Sequence, residues 1–391
     1  MSRSRGGRIV AVIVIIVAIL AYLAVPYVRA ASLFVRVAHL GGRVEALANN
    51  HAHAVTIAAP HMVHTRNGDV PAQFYRPDGR FSRSVLLIPG IHSMGIKEPR
   101  LTALAKDLAG TGVLVMTLAL PDLQHYRLTT KSTDVIEDAA GWMARQPELA
   151  PDGRIGLMGI SFAGGMSIVA AGRASIRDKL AYVLSFGGHA DLPRVLHYLA
   201  TGEEVQLPGV KIVPPHDYGV AVILHEFADQ GIVPAEQVAP LRTGIETFLL
   251  ASQLTLVDMN EANATFKQAR EYEKTLPEPA RTYMNYVNER NVKKLGPALL
   301  PYLNETGVES PTLSGDRALA PPAAPVFLLH GSEDSVIPTA ESVLLADYLR
   351  KKGVDVHLLV SELITHAEID RAAAASDTVK LVSFWASVLK K

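Results

Sequence analysis

Cysteine is absent from the 391 residues, which excludes disulfides, thiolate metal sites and a cysteine nucleophile. The absence says little about compartment, because a chain of this size needs no disulfides to persist outside a cell. Net charge is lacking too. Lys+Arg number 38 and Asp+Glu 38, so no electrostatic case for nucleic acid arises. No internal repeat and no low-complexity tract occurs, which excludes repeat arrays and compositionally disordered chains. Hydrophobic residues make up 49% of the chain, enough for a sizeable core in one large domain or two modest ones.

The N-terminus holds a basic tail over residues 1–8, MSRSRGGR, and then an uncharged apolar run over residues 9–28, IVAVIVIIVAILAYLAVPYV. As a helix such a run spans about 30 Å, the thickness of a bilayer's hydrocarbon core. A cleaved signal peptide has a shorter apolar region, roughly 7–15 residues, although Ala30 and Ala31 offer a weak cleavage option. No polar face interrupts the run as it would in a globular helix. The expectation is an uncleaved signal-anchor helix at the cell membrane, single-pass. Arg3, Arg5, Arg8 and the free amino group point the N-terminus inward and the main domain to the extracytoplasmic side. Secretion after cleavage is the alternative. Residues 29–52 read as a stalk in which Gly41 and Gly42 interrupt any single helix.

From residue 53 short apolar runs alternate with helical patterns. HAVTIAAP and VPAQFYRP read as strands about a turn at Asn67-Gly68-Asp69. Further strands are expected at SVLLIPG, VLVMTLAL, RIGLMG and LAYVLSFGG, with helices over 97–110, 133–146 and 162–174 between them. The second helix carries an N-cap Ser or Thr and Glu137 in its first turn. Residues 191–320 show helical periodicity and no clear apolar strand. The alternation then resumes with strands VFLLHG and VDVHLLVS and helices over 340–352 and 369–390. This pattern predicts an α/β fold, doubly wound on a mostly parallel sheet. Its core comprises residues 53–190 and 321–391, interrupted after the sixth core strand by a helical lid insertion, 191–320, over one edge.

The segment GISFAG contains Ser161 between an expected strand and an expected helix. Gly159, Ala163 and Gly164 let strand and helix approach closely around a tight turn, the setting of a nucleophile elbow. The backbone N–H of Phe162 then lies at a helix N-terminus, aimed at the carbonyl under attack. A serine needs a base, and the base needs an orienting acid. Asp334 follows the strand VFLLHG, with Glu333 as its rival, and His366 follows VDVHLLVS. The order Ser161, Asp334, His366 is that of one known triad arrangement. A second oxyanion donor is expected from the backbone N–H of Ile91, where Gly90 lets the loop fold inward, and His92 joins Gly90 as a pocket candidate. A serine that merely caps the next helix would not account for Asp334 and His366. His51, His53, His61 and His64 lack a nearby acid cluster, so no metal and no cofactor is expected. Among His189, His197, His216 and His225, one could touch substrate.

These motifs, GISFAG, HGSEDSVIP and THAE, resemble the α/β-hydrolase superfamily over residues 53–390 except the insertion. The chain departs from the family pattern in having Ala163 at the fifth elbow position and Pro89-Gly90 where the oxyanion loop usually reads His-Gly. The resemblance implies a serine hydrolase acting through an acyl-enzyme, esterase- or lipase-like, on a small-molecule or lipid ester, with the membrane as partner through the N-terminal helix. A peptidase or thioesterase using the same triad, or a catalytically inactive binding protein on this fold, are the other readings.

Overall fold

The computed structural model describes residues 3–305, 313–365, 368–369 and 375–391. Side-chain surroundings are described for these except 3–18, 21, 304–305, 365, 368–369 and 375–376. Eleven strands are present among them: β1 Val55–Ile57, β2 His61–Thr65, β3 Gly68–Pro77, β4 Ser84–Ile88, β5 Leu114–Leu118, β6 Ile155–Ile160, β7 Leu180–Phe186, β8 Val326–Gly331, β9 Val356–Ser361, β10 Ile364–Thr365 and β11 Glu368–Ile369. Nine form one sheet in the order β1-β3-β5-β4-β6-β7-β8-β9, with β2 also paired to β3. The β1, β2 and β3 pairings, including β3 with β5, are antiparallel. From β5 to β9 every neighbour is parallel.

The central strands are mostly apolar because both faces are covered. In β4, Leu86 and Ile88 face one core while Val85 and Leu87 face the other; in β8, Val326 and Leu328 oppose Phe327 and Leu329 in the same way. This period-2 division leaves no alternation of polar and apolar residues to read in sequence.

Several boundaries differ from the sequence reading. The expected first strand, HAVTIAAP, contains β1 alone; β2 lies beyond it and is not among the expected strands, and the turn of the β2–β3 hairpin is Arg66-Asn67, since Thr65 pairs with Gly68. The second core helix is Thr130–Ala144, starting earlier than expected, so Glu137 lies in its interior. There Glu137 is buried against Arg173 and Ser175 rather than exposed at a helix N-terminus. The last helix is described over Ala375–Leu389, and Ile369, where its expected range begins, lies in β11. Between β7 and β8 lie helices Leu192–Thr201, Gly219–Phe227, Ala235–Leu254, Met259–Glu273, Ala280–Asn288 and Val292–Glu305. They do not sit over an edge. β7 and β8 are interior strands, and the insertion reaches across the sheet's carboxyl ends: Leu128 N–H, beyond β5, donates to Glu226 at 3.1 Å.

The N-terminal helix runs Arg3–Val37, with Pro26 inside it, and ends before Gly41 and Gly42, whose φ values of 75° and 63° suit glycine. Residues 29–52 do not form a free-standing stalk. Ala30, Leu33, Phe34 and Ala38, at helical spacing, are buried in one of the two cores with Leu101, Leu108, Phe384 and Trp385. Arg36 fixes the register, its guanidinium donating to the Asp107 carboxylate at 2.7 Å and to the Asp107 carbonyl at 2.8 Å. Burial lowers the Arg36 pKa and raises that of Asp107, so desolvation outweighs their attraction. The pair therefore selects the docked position more than it stabilises it. Most of the expected membrane span, 9–18 and 21, has side chains outside those described. Among the described residues no helix is long and apolar enough to cross a membrane.

Candidate active site

Ser161 stands between the end of β6 and the helix Phe162–Ala171 with φ 56° and ψ −133°, a conformation costly for a residue with a side chain. The neighbours explain how it is held. Ser161 N–H donates to Phe186 O at 2.7 Å, and Gly164 N–H donates to Ser161 O at 2.8 Å. A Cβ on Gly159 would lie 2.3 Å from Ala163 O, and one on Gly164 would lie 2.5 Å from Ser185 Oγ. Only glycine permits that approach. Ala163 is fully buried, so the departure from glycine at the fifth elbow position is accommodated. The Ser161 side chain makes no capping hydrogen bond to the helix that follows, which removes the purely structural explanation for it.

The loop after β4 abuts this turn. A Cβ on Gly90 would lie 3.1 Å from Ser161 Cβ and 3.7 Å from its Oγ. Ile91 and His92 continue the loop, and with Pro89 and Gly90 they line the same cavity as Ser161. Among the described residues, the backbone N–H groups of Ile91 and Phe162 have no protein acceptor. His92 Nδ1 accepts from Met94 N–H at 3.2 Å, and burial lowers its pKa to about 4. The imidazole is therefore neutral at pH 7.

Asp334 and Glu333 are neighbours in sequence and opposites in the fold. Asp334 is 2% exposed. Its Oδ1 accepts from Val336 N–H at 2.8 Å and Ile337 N–H at 3.0 Å, and its Oδ2 lies 3.4 Å from His330 Nε2. A Cβ on Gly187, at the end of β7, would sit 3.3 Å from that Oδ2. The carboxylate thus lies over the strand beside the one that carries Ser161. Glu333 points to solvent and pairs with Lys211 at 2.9 Å. His366 lies outside the described residues. It falls in sequence between β10 and β11, and Ile364, in β10, lines the cavity.

The cavity has a volume of about 1070 Å³. Sequence reading missed much of its wall, because its residues come from distant elements. Tyr126, at φ 55°, donates to Gln253 Oε1 at 3.3 Å, and Ser93 Oγ lies 3.2 Å from the same oxygen. These contacts tie the loops after β4 and β5 to the insertion. Burial raises the Tyr126 pKa to about 12. His216 and Tyr218 also line the cavity, and His216 N–H donates to Ser335 O at 2.7 Å, pinning the insertion to the Asp334 loop. Of the histidines flagged near the insertion, His216 is the one on the cavity wall. Away from the site, His53 pairs with Asp78, His64 with Asp69, and His61 stacks on Trp142.

No family model matches the sequence, and no curated protein matches it. Solved structures do. An esterase of Pyrobaculum calidifontis is 15% identical, with a TM-score of 0.47, over 88% of this chain and 87% of that one. A dienelactone hydrolase from Klebsiella pneumoniae, described as such provisionally, is 12% identical, with a TM-score of 0.42, over 86% of this chain and 98% of that one. An acylaminoacyl peptidase of Pyrococcus horikoshii is 11% identical, with a TM-score of 0.45, over 87% of this chain but 41% of that one. Likeness at this level decides neither substrate nor mechanism. The chain's own topology is more direct: an antiparallel strand leads into a parallel sheet, a strained serine turns from β6 into a helix, and a buried aspartate follows β8. On that topology the chain is an α/β-hydrolase-fold protein.

Proposed function

We propose that this chain is a serine hydrolase cleaving carboxylic esters through an acyl-enzyme, attached to a membrane by residues 9–28 with its hydrolase domain on the extracytoplasmic side. The observation that carries the chemistry is Ser161, held at φ 56° on the wall of a large cavity and not used as a helix cap. In this reading His366 removes the hydroxyl proton as Ser161 Oγ bonds to the acyl carbon. The imidazolium then gives that proton to the departing alkoxide. Asp334 holds the imidazole and stabilises its charged form. The amides of Phe162 and Ile91 bind the tetrahedral oxyanion, each worth about 3–4 kcal/mol when judged by removal. Water, deprotonated by the same imidazole, then releases the acid. The helical insertion covers the site as a lid and excludes bulk water.

Membrane attachment is supported by the uncharged run and by its described part, where Ile19, Leu20, Tyr22, Leu23 and Val28 are all exposed. Large apolar side chains gathered on one uncovered helix need an apolar surrounding. The chemical assignment is tested with Ser161→Ala: p-nitrophenyl butyrate hydrolysis and fluorophosphonate labelling both disappear while the melting transition remains. Undiminished labelling of that variant would refute it.

A further inference from the structure

The cavity that Ser161 lines does not end at the hydrolase core. Leu33, Phe34 and Val37 of the N-terminal helix, with Ala38 just beyond its end, form part of its wall together with Leu104, Leu381 and Trp385. Leu33 and Phe34 are buried, and Val37 is half-buried. The charged groups on this wall are already engaged. Asp107 binds Arg36, and Glu98 binds the Arg100 side chain and the Leu101 amide. What remains for a ligand in that half of the cavity is chiefly aliphatic and aromatic surface. Five lining residues, His39, Pro99, Ala103, Leu256 and Glu333, are exposed, so the cavity opens to solvent. The helix therefore joins an uncovered apolar run at one end to the nucleophile's cavity at the other.

We propose that the N-terminal helix is a wall of the substrate site, and that the substrate is an ester with a long alkyl chain lying along Leu33, Phe34 and Val37. This rests on the serine-hydrolase reading of the same cavity. The physical basis is burial: each methylene that leaves water for an apolar wall contributes to binding, and a site only for short esters would not require this extension. A segment expected to be a spacer thus becomes a determinant of specificity, and anchor and active site share one continuous helix.

The test uses the full-length protein in detergent micelles and the ratio of kcat/KM for p-nitrophenyl palmitate to that for p-nitrophenyl butyrate. Hexadecyl acetate against butyl acetate asks the same question with the chain in the alcohol part. Val37→Trp fills the wall and is expected to lower the ratio in one series by about tenfold or more, the scale of a lost methylene site. The series that responds identifies the part of the ester that carries the chain. Fluorophosphonate labelling of each variant reports an assembled site. Should Val37→Trp fail to label, Val37→Ala, which widens the cavity, shifts the ratio instead. Ratios unchanged in both series, with labelling intact, overturn this inference and leave the serine-hydrolase reading standing. Absence of labelling in the unaltered protein defeats that reading itself.

Discussion

Replacing Asp334 by Asn tests the acid of the proposed triad with little disturbance of the fold. Oδ1 accepts two backbone N–H bonds, at 2.8 and 3.0 Å, and an amide oxygen can accept both. The other position, 3.4 Å from His330 Nε2, becomes an NH2 and loses acceptor capacity, at a cost of about 1 kcal/mol. Catalysis should suffer far more. An amide cannot hold the histidine in the tautomer that accepts the serine proton, and a loss of about 10⁴ in kcat follows, or about 5 kcal/mol of barrier. Asp334→Ala behaves differently. It also orphans two buried amides, at about 1–3 kcal/mol each, so it lowers the melting temperature as well as the rate. The control is the adjacent carboxylate. Glu333→Gln breaks only a solvent-exposed pair with Lys211, which contributes little, so its effect on kcat/KM stays below about tenfold. The assay is kcat for p-nitrophenyl butyrate beside thermal melts of all three variants. Asp334→Asn within about tenfold of the unaltered rate, with Glu333→Gln strongly impaired, would show that the acid has been misassigned.

Two further outcomes follow from the same structure. His92 has its pKa lowered from 6.5 to about 4 by burial, so between those values the unfolded chain binds the extra proton and the folded chain does not. Stability therefore falls as pH drops from about 6.5 towards 4 and levels off below; melting temperatures of His92→Gln against the unaltered protein should converge at the acid end, and a constant difference from pH 7 to 4 would contradict the buried neutral imidazole. The anchor reading predicts that the protein stays with the membrane fraction after an alkaline wash and that deleting residues 1–28 releases it, whereas release of the full-length chain by the wash would count against a spanning helix.

Some features were legible because they are local. The strands β4 to β8 show as mostly apolar runs, since both faces of each are covered. Small residues around Ser161 mark a turn at which strand and helix must nearly touch, and the clash distances at Gly159 and Gly164 bear that out. The break at Gly41 and Gly42 likewise needs only local stereochemistry. The two hairpins were harder. β2 is mostly exposed and β10 and β11 have two residues each, and what defines them is a cross-strand partner, which periodicity along one strand does not reveal.

Sequence alone determined the doubly wound architecture and the elbow at Ser161, because periodic burial and glycine's lack of a side chain act within a few residues. Only the tertiary structure turned the Asp334 carboxylate inward to backbone amides and the Glu333 carboxylate outward to Lys211. It alone also set the N-terminal helix against the cavity that Ser161 lines, through apolar contacts and the Arg36–Asp107 pair. Those contacts join residues far apart in the chain, and their free energy exists only once the intervening loops have closed.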